Sequence, residues 1–249
     1  MILLDDNFAA IVSAVEEGRA VFGNLREFIC YVLTSNVTEV VPYLAFAFLG
    51  IPLPLSIIQI LLVDLGTDML PALGLGADPP DPGGMQKAPR PRHEKLLNGA
   101  LMLRAYLFLG VFEASLALAA YFFVLHQAGW QFGAALAGRD PLYREATTAC
   151  LSAIIVGQVV NVFLCKHPDQ PLLAAPLFNN RLILAGVALE SGLILLVEYT
   201  SMGQRIFLTA PLGLEVWGFI LALAPVMVVG EALRRRVSLG KVKLLPHGV

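Results

Sequence analysis

Apolar residues gather into six stretches along the chain, near 28–49, 55–76, 99–125, 147–165, 181–200 and 212–233, with polar residues concentrated between them. Crossing a hydrocarbon core of about 30 Å takes about 20 residues of helix, so each stretch is long enough to span a bilayer. Ahead of the first, Ile11, Val12, Val15, Phe22, Leu25, Phe28 and Ile29 alternate with Glu16, Glu17, Arg19, Arg26 and Glu27, which predicts an amphipathic helix running into that span. Met1–Leu4 is a short apolar run closed by Asp5-Asp6-Asn7 and reads as a β-strand followed by a helix cap. Nothing else in the chain offers that strand a sheet, and an orphan strand is unstable alone. The expectation is therefore that it completes a soluble domain lying upstream. The predicted fold is all-α: a polytopic transmembrane helical bundle of six spans, with an amphipathic cytoplasmic stalk helix and a short orphan N-terminal strand.

The connections divide the chain into residues 1–27, a six-helix transmembrane domain at 28–233, and a basic tail at 234–249. Gly50-Ile51-Pro52-Leu53-Pro54 forces a tight turn between the first two spans, because neither proline donates a backbone hydrogen bond. The first two spans are thus expected to form a hairpin. Residues 77–98, rich in Pro, Gly and charge, read as a loop rather than a folded domain.

Composition agrees with a membrane protein: 57% of the residues are hydrophobic and only 14% charged, against about 25% charged in soluble domains. Cytoplasmic loops carry the excess of Lys and Arg, and six spans place both termini on one side. That side holds 14 of the 17 basic residues, leaving Arg139, Arg144 and Arg205 opposite, so both termini are expected in the cytoplasm. These cations lie beside the membrane and form no nucleic-acid footprint. The expected surroundings are the lipid bilayer, and the expected location is the plasma membrane. Cys30, Cys150 and Cys165 are scattered without a metal-ligand spacing and read as small apolar packing residues. The N-terminus has no basic n-region and no apolar h-region, so it is not a signal peptide.

The chemistry concentrates in the first two spans. Thr34, Ser35, Asn36, Thr38 and Glu39 lie in one, and Gln59, Asp64, Thr67 and Asp68 in the other. On a helix Asn36 and Glu39 are three apart, and Asp64, Thr67 and Asp68 fall at i, i+3 and i+4, so each set projects from one face. An ionised group at bilayer centre costs about 2.5–3.5 kcal/mol, so Glu39, Asp64 and Asp68 together oppose insertion by roughly 8–10 kcal/mol. Neither span supplies a base to offset this, which leaves protonation or a bound cation. Carboxylate, amide and hydroxyl oxygens favour hard cations such as Ca²⁺, Na⁺, K⁺ or Mg²⁺. Pro42 follows Glu39, and Gly66 and Pro71 bracket the acids of the second span; helices broken at mid-membrane are characteristic of transporters.

Further along, Gln158 and Asn161 share a face of the fourth span, Glu190 lies within the fifth and Glu113 stands alone in the third. The amides fit interhelical packing or an auxiliary ion role. Glu190 fits a proton or cation route, and Glu113 either function or packing. Ser56, Ser115 and Ser152 have no His or acid at triad-like positions, the four histidines lie in loops or the tail, and no phosphate-binding or metallohydrolase motif occurs. The chain therefore presents no catalytic residue or cofactor-binding motif of its own. A channel or secondary transporter using the same oxygens, and a separately encoded structural or regulatory remnant subunit, both fit these residues.

The run MILLDDNFAAIVSAVEEGRAVFGNLREFICYVLTSNVTEVV resembles the exit from the phosphorylation domain and the fifth transmembrane helix of type II P-type cation ATPases. IPLPLSIIQILLVDLGTDMLPALGLGADPP is similar to their sixth helix, and the later spans match the remaining four in number and order. The resemblance implies an ATP-driven cation translocase in which Asn36, Glu39, Asp64, Thr67 and Asp68 are ion ligands. Ser35, Gln158, Asn161 and Glu190 would be further positions on the ion pathway. Calcium pumps of the family usually carry Asn where Asp64 stands, and sodium–potassium pumps have an LVDLGTDM-like pattern, so the resemblance leans toward the latter. Asn161 stands where those pumps have Asp. The family's DKTGT and TGDGxND motifs and its PEGL helix break do not occur in these residues. The resemblance thus implies missing partners: the N-terminal pump domains, which would bind Mg-ATP, and transmembrane helices one to four. Residues 5–27 would relay domain motion to the ion ligands.

Overall fold

The computed structural model describes residues 8–80, 83–86, 88, 91, 94–168, 170 and 176–244, with side chains described as far as residue 237. The expected strand at Met1–Leu4 lies outside the described residues. These residues form α1 (Phe8–Leu49), α2 (Ile57–Gly76), α3 (Gly99–Gln127), α4 (Pro141–Cys165), α5 (Arg181–Tyr199), the short α6 (Ser201–Phe207) and α7 (Leu214–Leu244). Among the described residues there is no strand. All but α6 are long and apolar enough to cross a membrane, which makes six candidate spans.

The helix ends follow local chemistry. Asp140 and Asn180 cap α4 and α5 by accepting backbone N–H bonds from Leu142 and Leu182, at 2.9 and 2.8 Å, as N-cap side chains do. Pro141 occupies the first turn of α4, where its missing N–H costs nothing, so α4 starts six residues ahead of its apolar stretch. At its other end the chain stays helical through Arg234–Arg236 as far as Leu244, because Arg234 and Arg235 hydrogen-bond Glu231 one turn back. The 42 residues of α1 measure about 63 Å at 1.5 Å per residue, roughly twice the hydrocarbon thickness.

Helix α4 is the central post. In its most apolar window 78% of residues are buried, against 22–44% in the other five spans. Around it, Leu61, Leu73, Leu107, Leu196, Leu221 and Val229 point outward and stay exposed, the surface lipid would wet. Helices α2 and α5 approach so closely that a Cβ on Gly186 would stand 2.9 Å from Pro71, and one on Gly74 2.7 Å from Ile183. Small residues permit that backbone contact. The α1–α2 turn takes φ +65° at Gly50, and Tyr121 ties it to α3 by donating to the Pro52 carbonyl at 2.9 Å.

Two apolar clusters fill the interior. One, toward the Pro52 turn, includes Leu55, Leu62, Ala117, Ile154 and Ile194; the other, toward the end holding Arg104 and Arg235, includes Tyr31, Ala72, Leu109, Val162 and Ile183. On each of α1 to α5 the mid-helix polar side chains fall between these clusters. A single polar belt therefore crosses the bundle. Below it the helix ends are bolted by charge: Glu231 accepts from Arg104 at 2.8 Å and Arg235 at 3.0 Å, and Arg235 also reaches the carbonyls of Leu164, His167 and Gln170.

Candidate functional site

Within the belt, α1, α2 and α4 converge on Asp68. Ser35 donates to one carboxylate oxygen of Asp68, Tyr31 donates to the other at 3.3 Å, and Gln158 donates to the Ser35 hydroxyl at 3.0 Å. Asp68, Ser35, Tyr31 and Gln158 are all buried. Glu39, 6% exposed, has an oxygen without a hydrogen-bond partner and lies within Coulombic range of Asp64 and Asp68. Hydrogen bonds thus join Ser35, Asp68 and Gln158 across three helices, with Glu39 nearby, whereas helical spacing groups Asn36 with Glu39, and Asp64 and Thr67 with Asp68.

The backbone that carries Asp68 is not regular. Val63–Thr67 is a π-helical turn, and Asp68 N–H reaches back five residues to the Val63 carbonyl at 3.1 Å. Such widened turns are frequent at functional sites. The extra width rotates residues before it relative to those after it, so Thr67 and Asp68 are buried while Asp64 is exposed. Regular i, i+4 geometry places Asp64 and Asp68 on one face; the π turn separates them. Thr67 is buried, and its hydroxyl donates to the Val63 carbonyl at 2.9 Å.

Asn36 is exposed and spends its amide on the Val32 carbonyl of its own helix, at 2.9 Å. Gln59 serves the start of α2 by accepting from Ser56 N–H at 3.0 Å. Asn161 is buried, with a 3.5 Å contact from the Cys165 thiol and its amide nitrogen unpartnered. Glu190 is fully buried, and neither of its oxygens has a partner. Glu113 is the same, against α4. Among the described residues no three His, Cys, Asp or Glu side chains converge closely enough to hold a metal ion.

Three participants escape sequence reasoning. Tyr31 sits one turn before Ser35, so the i, i+4 run Glu27, Tyr31, Ser35, Glu39 was there to be seen. Glu198, fully buried at the end of α5, takes a hydrogen bond from Ser152 in the middle of α4. Glu231 gathers three arginines in α7 and α3.

Six apolar spans around a polar belt define a transmembrane transport-type domain, and comparison with known proteins narrows the class. Residues 52–237 match the family described as cation transporting ATPase, C-terminus. The chain is 35% identical over 94% of its length to an endoplasmic reticulum calcium ATPase of Aspergillus fumigatus. It is 32% identical over 95% to sodium/potassium-transporting ATPase subunit alpha-4 of Rattus norvegicus. Over 80% it is 34% identical to potassium-transporting ATPase alpha chain 2 of Oryctolagus cuniculus. The chain belongs to the P-type cation-transporting ATPase family and corresponds to its carboxy-terminal membrane region. It spans about a quarter of those relatives' length, 26%, 25% and 20% respectively.

Proposed function

We propose that this chain supplies part of the cation pathway of an ATP-driven pump, with Glu39, Asp64, Thr67, Asp68 and Asn36 as oxygen donors to a transported hard cation and Ser35 beside them. The cation is cargo; Mg-ATP belongs with pump domains outside these residues. The observation that carries the reading is the pair of environments around α2: Asp68 buried and hydrogen-bonded, Asp64 exposed on a membrane-spanning helix. An acid facing lipid at that depth costs about 2.5–3.5 kcal/mol. The Asn36 and Asp64 face is accordingly where the remaining transmembrane helices of the pump pack and complete the cage. Thr67 contributes an oxygen lone pair, since its proton already goes to the Val63 carbonyl.

The part of α1 that exceeds a membrane crossing acts as a cytoplasmic stalk, which puts both termini in the cytoplasm, in keeping with the distribution of Lys and Arg. Residues 1–27 then form the exit from the phosphorylation domain and the stalk, 28–233 the membrane domain and 234–249 a basic end. Asp64 favours a sodium- or potassium-type selectivity over a calcium type, and a plasma-membrane location accompanies that preference. Gln158, through Ser35, and Asn161 and Glu190 form an inner edge of the pathway.

The test is Asp68→Asn in the pump that contains this chain. Cation-dependent phosphorylation by ATP should be lost while the protein still reaches the membrane; phosphorylation with unaltered cation dependence overturns the assignment.

A further inference from the structure

Where the helix ends are bolted together, three guanidiniums share one carboxylate. Glu231 of α7 is fully buried and accepts from Arg104 of α3 at 2.8 Å, from Arg234 at 2.6 Å and from Arg235 at 3.0 Å. One negative charge meets three positive ones, whereas buried charges are normally paired. Arg235 is the best compensated. It also reaches the carbonyls of Leu164, Lys166, His167 and Gln170, at the end of α4, where the helix dipole is negative. Arg104 and Arg234 have less. Besides Glu231, Arg104 bonds the Leu164 carbonyl, and its Nε has no hydrogen-bond partner. Arg234 turns two nitrogens to Glu231, and its side chain keeps 27% exposure.

Both arginines border one cavity of ≈460 Å³, a volume at which small ligands are bound. It lies where the stalk part of α1 meets the first span, walled by α1, the loop after α2, the start of α3 and the end of α4. Arg19 and Arg26 of α1 extend its basic lining, and Phe22, Ala100 and Leu101 give it an apolar side. The acids on its walls are engaged elsewhere. Glu94 accepts from Arg26 at 2.9 Å, Glu27 accepts the His167 N–H at 2.9 Å, and Glu16 stands one turn before Arg19. The two positive charges that Glu231 leaves unmatched therefore call for a second anion, and a phosphate group is the one that guanidinium forks fit best. We propose that this cavity binds the phosphate of an anionic phospholipid headgroup against Arg104 and Arg234. The apolar wall and the place at the membrane border favour a lipid over free phosphate. Basic pockets between helices on the cytoplasmic side hold such headgroups. The lipid as source, though not the phosphate site, rests on this end of the bundle being cytoplasmic.

The test titrates the full chain in detergent with dioctanoyl phosphatidate, dioctanoyl phosphatidylcholine and inorganic phosphate, with binding followed by native mass spectrometry and by the rise in unfolding temperature. Phosphatidate should bind more tightly than phosphatidylcholine, and Arg234→Gln should weaken it by about tenfold, as for the loss of one charge-assisted contact. Gly23 also lines the cavity, and a Cβ on it would meet nothing within 4 Å. Gly23→Leu therefore narrows the cavity while every arginine stays, and it should weaken phosphatidate binding as well. Affinity for phosphatidate unchanged in both variants, or equal to that for phosphatidylcholine, overturns the proposal. If Arg234→Gln fails to fold, Gly23→Leu decides: wild-type binding by it overturns the site, because attraction to charge at large would survive the substitution. Inorganic phosphate binding as tightly as phosphatidate supports the phosphate site and overturns the lipid as its occupant. None of these outcomes touches the cation ligands.

Discussion

On α1 and α2 the mid-bundle acids stand at an open face, with Asp64 and Asn36 exposed and Glu39 and Asp68 just beneath. On α3 and α5, between the same two apolar clusters, Glu113 and Glu190 are shut in by packed helices. The first pair of helices offers its oxygens to something large enough to cover a face. The second is closed over by the bundle's own helices, and its carboxyl oxygens have no hydrogen-bond partner. One polar belt thus contains two kinds of site, distinguished by what closes over them.

Three experiments sharpen that contrast, and the largest expected effect is at Asp68. Removing its charge while leaving Ser35, Tyr31 and Gln158 in place takes one partner from a buried ionic interaction, which costs about 3–5 kcal/mol. Cation affinity in the pump, measured by the concentration that supports phosphorylation, should fall by about 100-fold or more in Asp68→Asn. An affinity within a few-fold of wild type would mean that the open face is not where the cation is held.

Asp64 comes next and works in the opposite sense. In the chain by itself, Asp64→Leu replaces an exposed acid of a membrane helix and should favour insertion by about 2.5–3.5 kcal/mol on translocon scales. A glycosylation-reporter insertion assay reads this directly. In the pump the same change should weaken cation binding. A residue that opposes insertion of the part and serves the whole would be the signature of a face made for other helices; no gain in insertion would place Asp64 in water instead.

Much of this was legible beforehand. Six spans are readable because charge is too costly to leave inside them, and the oxygen cluster is readable for the same reason. What each acid faces is not. In a membrane helix the core side and the lipid side are both apolar, so hydropathy puts Glu113 and Glu39 in spans but cannot tell an enclosed acid from one at an open face. The π turn at Val63–Thr67 is equally hidden: Gly66 hints at a break, yet only the backbone reveals that it separates Asp64 from Asp68. Gly157 carries no signal by itself, since its meaning depends on a side chain 44 positions away on another helix. The Glu231–Arg104 contact escapes notice because its two residues lie 127 positions apart, and Glu231–Arg235, although one turn apart on α7, reads as an ordinary helix end.

The smallest effect bears on the enclosed half of the comparison. Gly157→Ala adds one methyl where Glu113 Cγ would be 2.7 Å away, and overpacking of this kind costs about 1–3 kcal/mol. If Glu113 is what fills the space, Glu113→Ala should recover most of that loss, because truncating the carboxyl removes the atoms the new methyl strikes. The two changes would then couple by about 0.5–3 kcal/mol in a double-mutant cycle, followed by thermal or denaturant unfolding in detergent. Additive effects would show that α3 and α4 relax apart without regard to the acid between them. Strong coupling would mean that the glycine and the carboxyl form one device: Gly157 keeps open, within a closely packed pair of helices, a slot of the size Glu113 needs.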